Sequence, residues 1–206
     1  LGYDYVVTGH YARISYDETS GKYILMNNIS LEQVKLAEGQ TSYIMKRFEG
    51  ELDGNNQVIH GLRASLFDSI SGTSSKKAVV KNLRVQNVFV NAGYKDIFDW
   101  QGKPVLAEAN GLAREVSNGR LETIYMNCVK LNGGGNTGGL VNETYIGKVW
   151  LEGIDINSGL SEEELGRFNL VGGAVGSLSG YNSKFEDSYV EGKIIMDNNQ
   201  QGGVAG

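Results

Sequence analysis

The sequence predicts an all-β chain wound as a right-handed parallel β-helix. Three observations carry that prediction. Apolar residues recur in steps of three, two, three, two. Glycine-rich phrases return on the same beat. Glycine is abundant, at 29 of 206 residues, while proline occurs once. Glycine without proline suits many tight turns between short strands rather than a collagen or a proline-rich linker.

The apolar steps are the strongest signal. Val80, Leu83, Val85, Val88 and Val90 take them first, then Leu121, Ile124, Met126, Val129 and Leu131, then Ile146, Val149, Leu151, Ile154 and Ile156. A fourth copy reads Phe185, Ser188, Val190, Lys193 and Ile195, with Ile194 beside the misfit lysine. A helix would mix in steps of four, and one flat strand would give only twos. Twos broken by threes suit short strands joined at a corner that keeps side chains on one interior. The glycine phrases put Leu66, Leu112, Leu140, Ala174 and Val204 in matching slots. Gly111 precedes the second of these. The pairs Gly138–Gly139, Gly172–Gly173 and Gly202–Gly203 precede the last three. A unit of roughly thirty residues fits one coil of a solenoid. Glycine lets the backbone bend where a Cβ would forbid it, and stacked coils then lie about 4.8 Å apart. The general preference for right-handed crossovers supplies the hand.

Residues 1–47 read as an N-terminal cap over the first coil, and residues 48–206 as the coils themselves. In the cap, residues 11–16 and 22–26 alternate apolar and polar around a polar turn, which predicts a β-hairpin. Ser30 and Gln33 in SLEQVKLAE form a capping-box pattern, which predicts a short helix. Such a cap would cover the open strand edge of the first coil. In the first coil, residues 48–72, Leu52, Val58, Ile59, Leu62, Leu66 and Phe67 are expected to face inward, and DGNN to turn tightly. Asp53, Asn55 and Asn56 are too short a ligand ladder for a calcium loop. Two stretches break the beat and are expected to project from corners. Residues 92–105 gather Tyr94, Phe98, Trp100 and Lys103, a candidate partner-binding loop. Residues 158–168 place three glutamates after Ser161, as at the start of a helix.

Composition narrows the function. A net charge of -5 removes the usual electrostatic term for nucleic-acid binding. No apolar run reaches membrane-spanning length. The single cysteine, Cys128, excludes a disulfide framework within the chain and a multi-cysteine zinc site, and reads as a small buried hydrophobe on a strand. His10 is followed by YARI and His60 by GLRA, so neither begins an HExxH zinc helix. Asp68, Arg114 and Asn142 share one repeat slot, with Gly176 next. That mixed row reads as a surface ladder rather than the carboxylate cluster of a polysaccharide-cleaving β-helix. Beginning at Leu1 and ending in mid-pattern, the sequence is expected to be part of a longer protein.

The phrases FEGELDGNNQVIHGL, SLFDSISG, VVKNLRVQNVFV, NLVGGAVGSL and DSYVEGKI…QGGVAG resemble, in that order, the GLUG repeats of the IgA1-specific metallopeptidase family. These are large surface zinc proteases of streptococci and related Gram-positive bacteria. The resemblance spans residues 48–206. It implies an extracellular parent, secreted or attached to the cell wall, whose zinc lies in a protease domain elsewhere. No cofactor and no catalytic residue is expected in this stretch. The implied role is a non-catalytic scaffold contacting other domains of its own chain and offering a recognition surface for a protein substrate such as IgA1. The alternative is a stand-alone adhesin or surface spacer built from the same repeats. The opening LGYDYVVTGHYARI is also similar to a segment of tRNA 2-thiouridylases, but the nucleotide loop and paired cysteines of those enzymes have no counterpart here.

Overall fold

A computed structural model describes residues 14–17, 22–38, 40–91, 94–98, 104–106, 109–133, 137–138, 140–142, 144–158, 170–172, 177–196 and 200–202. Every regular element among them is a β-strand. The chain opens with the expected hairpin: β1 (Ile14–Asp17) runs antiparallel to β2 (Lys22–Leu25), with Ile14 opposite Leu25. Residues 11–13 lie outside the described residues. The expected short helix does not form. Ser30 ends strand β3 (Ile29–Ser30) and pairs with His60 of β6 (Val58–His60). The Leu31 amide donates to the His60 carbonyl at 2.8 Å, and the Leu31 side chain is buried. Sheet pairing thus occupies the backbone that a helix N-cap would need.

From there the chain alternates between two sheets. The first holds β2, β3, β5 (Glu51–Asp53), β6, β8 (Ala78–Asn91), β12 (Gly119–Asn132), β14 (Tyr145–Ser158), β17 (Lys184–Glu186) and β18 (Tyr189–Met196), with β1 at its edge. The second holds β4 (Ser42–Ile44), β7 (Ser65–Ser71), β11 (Ala113–Ser117), β13 (Leu140–Asn142) and β16 (Ser177–Ser179). Apart from the β1–β2 hairpin, all pairings in both sheets are parallel. Two further pairs stand apart, an antiparallel β9 (Tyr94–Phe98) with β10 (Pro104–Leu106), and a parallel β15 (Leu170–Gly172) with β19 (Gln200–Gly202).

The apolar columns align as the steps predicted. Val80, Leu121 and Ile146 are in register, as are Leu83, Ile124 and Val149, then Val85, Met126 and Leu151, then Val88, Val129 and Ile154, then Val90, Leu131 and Ile156. All fifteen are buried in one core with Leu52, Ile59, Leu62, Leu66, Phe67 and Ile70. Val58, expected inside, is only half-buried because it sits in the outward column of Arg84.

Each step of three has a specific backbone cause. Asn82, Thr123, Lys148 and Asp187 all adopt positive φ, at 52°, 56°, 54° and 50°, and occupy one column. Asn87, Cys128 and Gly153 form a second column, at 54°, 53° and 60°. A left-handed residue bends the strand and adds one residue to its alternation, so the next inward side chain comes three positions on. Cys128 is therefore exposed, not buried: it occupies the corner itself, between Met126 and Val129. The DGNN turn forms as expected, with Asn55 and Asn56 at positive φ and the Gln57 amide donating to the Gly54 carbonyl at 2.8 Å.

The fourth copy keeps the first corner and loses the second. Leu151 faces Val190, but Ile154 faces Gly192 and Ile156 faces Ile194. Ile194, rather than Ile195, completes the inner row, and Lys193 is exposed. Glu191 alone spans the place that Glu152 and Gly153 fill in β14, so Val190, Gly192 and Ile194 follow the steps of two of a straight strand. Between β17 and β18 the ladder is bridged by Ser188, whose Oγ accepts from the Val149 amide at 3.1 Å.

The second sheet departs from the glycine alignment in one coil. Leu66 and Leu112 are equivalent: the Phe67 amide donates to the Leu112 carbonyl, and Ala113 faces Phe67. Leu140 instead faces Glu115 and Ser177, three residues along from the slot of Leu112. Asn142 accordingly aligns with Ser71, Ser117 and Ser179, not with Arg114. Arg114 does lie over Asp68, as their shared slot predicted, donating from Nε at 2.9 Å and from a terminal nitrogen at 3.3 Å.

Candidate interaction surfaces

The outward positions of the first sheet also line up in columns. At the β2–β5–β8 end, the Glu51 carboxylate lies 3.3 Å from Lys22 Nζ and 2.6 Å from Lys81 Nζ. The hydrogen bond from Lys81 holds the Glu51 carboxyl below its usual range, and the same contact raises Lys81. Asp53 accepts from the Asn55 amide at 2.8 Å and from Asn82 Nδ2 at 3.1 Å, so its carboxylate ties the turn to the next coil.

Further along the sheet the columns become aromatic. Val58, Arg84, Tyr125, Trp150 and Tyr189 are successive members of one column. The Arg84 guanidinium lies 5.2 Å from the Tyr125 ring centre. Arg120 lies 4.7 Å from the Tyr145 ring centre and donates from Nε to Glu122 at 2.9 Å. Arg63 lies 5.6 Å from the Phe89 ring centre. Tyrosine hydroxyls donate to carboxylates, Tyr125 to Glu152 at 2.8 Å and Tyr189 to Glu191 at 2.6 Å. Those hydrogen bonds raise both phenols above their ordinary value. Trp150 and Tyr189 remain 40% and 46% exposed. This ladder was not among the surfaces expected from the sequence. Its signal was present in the repeat, since Arg84, Tyr125, Trp150 and Tyr189 each follow the first corner by two positions.

Of the insertion read as a partner-binding loop, the structure gives the backbone. Asn91 ends β8, and the chain then makes the β9–β10 hairpin, with Tyr94 opposite Leu106 and Phe98 opposite Pro104. Trp100 and Lys103 lie outside the described residues, as do residues 159–169. Among the repeat glycines, Gly138 has φ 107° and its amide donates to the Asn110 side chain at 3.0 Å. A Cβ on Gly111 would come within 3.0 Å of the Met126 side chain. Gly172 and Gly202 face each other across β15 and β19, which matches their predicted equivalence. Gly139, Gly173 and Gly203 lie outside the described residues.

The family model of the M26 IgA1-specific metallo-endopeptidase N-terminal region matches residues 14–127, more than half of the chain. The chain belongs to this M26 family. Among its relatives are immunoglobulin A1 proteases of Streptococcus sanguinis, 31% identical over 91% of this chain, and of Streptococcus pneumoniae, 29% identical over 91%. A zinc metalloprotease ZmpC of Streptococcus pneumoniae is 27% identical over 85%. The chain spans only 10%, 9% and 9% of the length of these three relatives. No solved structure matches it. The zinc of the M26 peptidases does not fit the residues described here: His60 Nδ1 lies 3.6 Å from Glu32, and no cluster of three His, Cys, Asp or Glu side chains is placed to hold a metal among the described residues. No helix among them is long and apolar enough to cross a membrane.

Proposed function

We propose that this chain is a non-catalytic right-handed parallel β-helix, the GLUG-type module of a secreted or wall-attached zinc metallopeptidase of the M26 family. Its role is to hold the parent's domains in place and to present a recognition surface to the protein substrate, such as IgA1. The observation that carries this reading is the register itself. Three successive visits to one parallel sheet align five apolar columns without a slip, while the chain crosses to a second parallel sheet between visits. The separate parallel pair β15–β19 supports a third face in this reading. Such coils bury one another's apolar rows and offer long, regular outer faces. Residues 1–47, which include the β1–β2 hairpin, cap the first coil, and residues 48–206 form the coils. The β9–β10 hairpin, with Tyr94, Phe98, Trp100 and Lys103, is the candidate contact to substrate.

The test uses the 206-residue chain immobilised and exposed to human IgA1. The intact chain should retain IgA1. A chain in which residues 94–106 are replaced by Gly-Ser-Gly should keep its far-UV circular dichroism and lose retention. Equal retention by both chains would remove the hairpin from the contact. Absence of retention by either would remove substrate recognition and leave only the scaffold.

A further inference from the structure

We infer that Trp150 and Tyr189, with Glu152 and Glu191, form a docking site for arginine side chains on an extended segment of a partner protein. The inference is separate from the β9–β10 hairpin and rests on β14 and β18. Its first support comes from three other rings on the outward side of the first sheet. Phe89, Tyr125 and Tyr145 each have an arginine over the ring, Arg63, Arg84 and Arg120, at 5.6, 5.2 and 4.7 Å. Arg120 displays the complete set: a ring from the next coil under its guanidinium, and a carboxylate, Glu122, accepting from its Nε at 2.9 Å. A guanidinium suits this pairing because its flat face lies on a ring while its edge donates to a carboxylate.

Trp150 and Tyr189 continue the column that holds Arg84 and Tyr125. Each has a glutamate two positions on in its own strand, Glu152 and Glu191, and therefore on the same outward side. Among the described residues no arginine or lysine lies over either ring. Two of the three components are thus present in two adjacent coils, and the cation is absent. The rings are 40% and 46% exposed, so a ligand has access. The carboxylates are already positioned, since Glu152 accepts from the Tyr125 hydroxyl and Glu191 from the Tyr189 hydroxyl. Tryptophan gives the strongest ring face for a cation. Charge complementarity points the same way, because a chain of net charge -5 attracts a basic segment. Arginine is preferred over lysine by the molecule's own example: among the described residues all three cations over rings are arginines.

The partner segment would cross the coils, setting one guanidinium on each ring, about 4.8 Å apart as the strands are. Extended chain places same-side residues about 6.6–7 Å apart, and arginine's long side chain spans the difference.

The probe is an acetylated, amidated peptide, Gly-Ser-Arg-Ser-Arg-Ser-Arg-Gly. The reporter is the 206-residue chain carrying Trp100→Phe, which leaves Trp150 as its one tryptophan. Titration should change Trp150 fluorescence, with binding weakening as salt rises. Trp150→Ala, followed by calorimetry, should weaken the peptide about three- to tenfold. The double variant Glu152→Gln/Glu191→Gln keeps Trp150 and should weaken it comparably, which protects the test against a fold defect in the alanine variant. A peptide with citrulline in place of arginine should not bind. The inference is overturned if the arginine peptide fails to bind at millimolar concentration, if citrulline binds equally, or if neither variant changes affinity. Trp100→Phe is shared by every fluorescence reporter, and the variants that decide the test lie in β14 and β18, so these outcomes are distinct from loss of IgA1 retention.

Discussion

Among the described residues nine non-glycine residues hold positive φ, and most of them are asparagine or aspartate, whose short side chains tolerate that conformation. Thr123 does not belong in that company. It is β-branched and sits at φ 56° in the column otherwise formed by Asn82, Lys148 and Asp187. A left-handed L-residue costs about 1–2 kcal/mol, and branching at Cβ adds to it. Thr123→Asn should therefore raise stability by up to about 1 kcal/mol, read from the urea midpoint; an unchanged or lower midpoint would contradict the strain. Cys128 occupies the equivalent place at the second corner, and its thiol should react with a water-soluble disulfide reagent in the folded protein. Full protection until unfolding would put it back in the interior, where the sequence alone had placed it. A third residue-level effect follows from Glu51. Its carboxyl is held low chiefly by the Lys81 hydrogen bond, so its contribution is complete above the ordinary carboxylate range and is lost as pH falls through the folded value. Lys81→Met should flatten the acid side of the stability–pH profile, by no more than about 1 kcal/mol for so accessible a pair.

At the scale of the element, the sequence displayed the rows but not the means of making the corners. Leu83, Ile124 and Val149 could be aligned by counting, because burial on a shared interior forces apolar residues into fixed steps. The corners could not, because the same φ is held by asparagine, threonine, lysine, cysteine and glycine, which share no side-chain property. The expected helix at Ser30 failed for a related reason: a local capping pattern is weaker than a strand pairing supplied by His60, thirty residues away. The glycine phrases led to Leu140 being placed three residues from its true partners, since glycines mark bends without fixing strand register. Of the interaction surfaces, the hairpin was legible as an insertion and the Trp150 ladder was not, because aromatic side chains facing outward leave the apolar rhythm undisturbed. In β18 the missing corner brings Gly192 against β14, where a Cβ would lie 2.3 Å from the Ile154 carbonyl oxygen and 2.4 Å from its Cβ. Gly192→Ala should cost about 1–3 kcal/mol, seen as a lower thermal midpoint. An unchanged midpoint would mean that β18 does not lie in this register.

For the whole molecule, stability should be graded along the stack. Each strand of the first sheet buries its apolar row against the strands on either side, so a row flanked on both sides is sealed and a row flanked on one side is not. Ile124 of β12 lies between Leu83 and Val149 and is 1% exposed. Phe185, Val190 and Ile194 of β17 and β18 are only partly buried. Ile124→Ala should therefore cost about 2–5 kcal/mol, and Ile194→Ala clearly less. Native-state hydrogen exchange should show the same order, with the slowest amides in β8, β12 and β14 and faster exchange in β18 and in the β1–β2 hairpin. Uniform protection from β1 to β18, or equal losses from the two alanine variants, would mean that the strands unfold as one compact unit. Stability would then not depend on position along the stack, and the solenoid reading would lose its energetic basis.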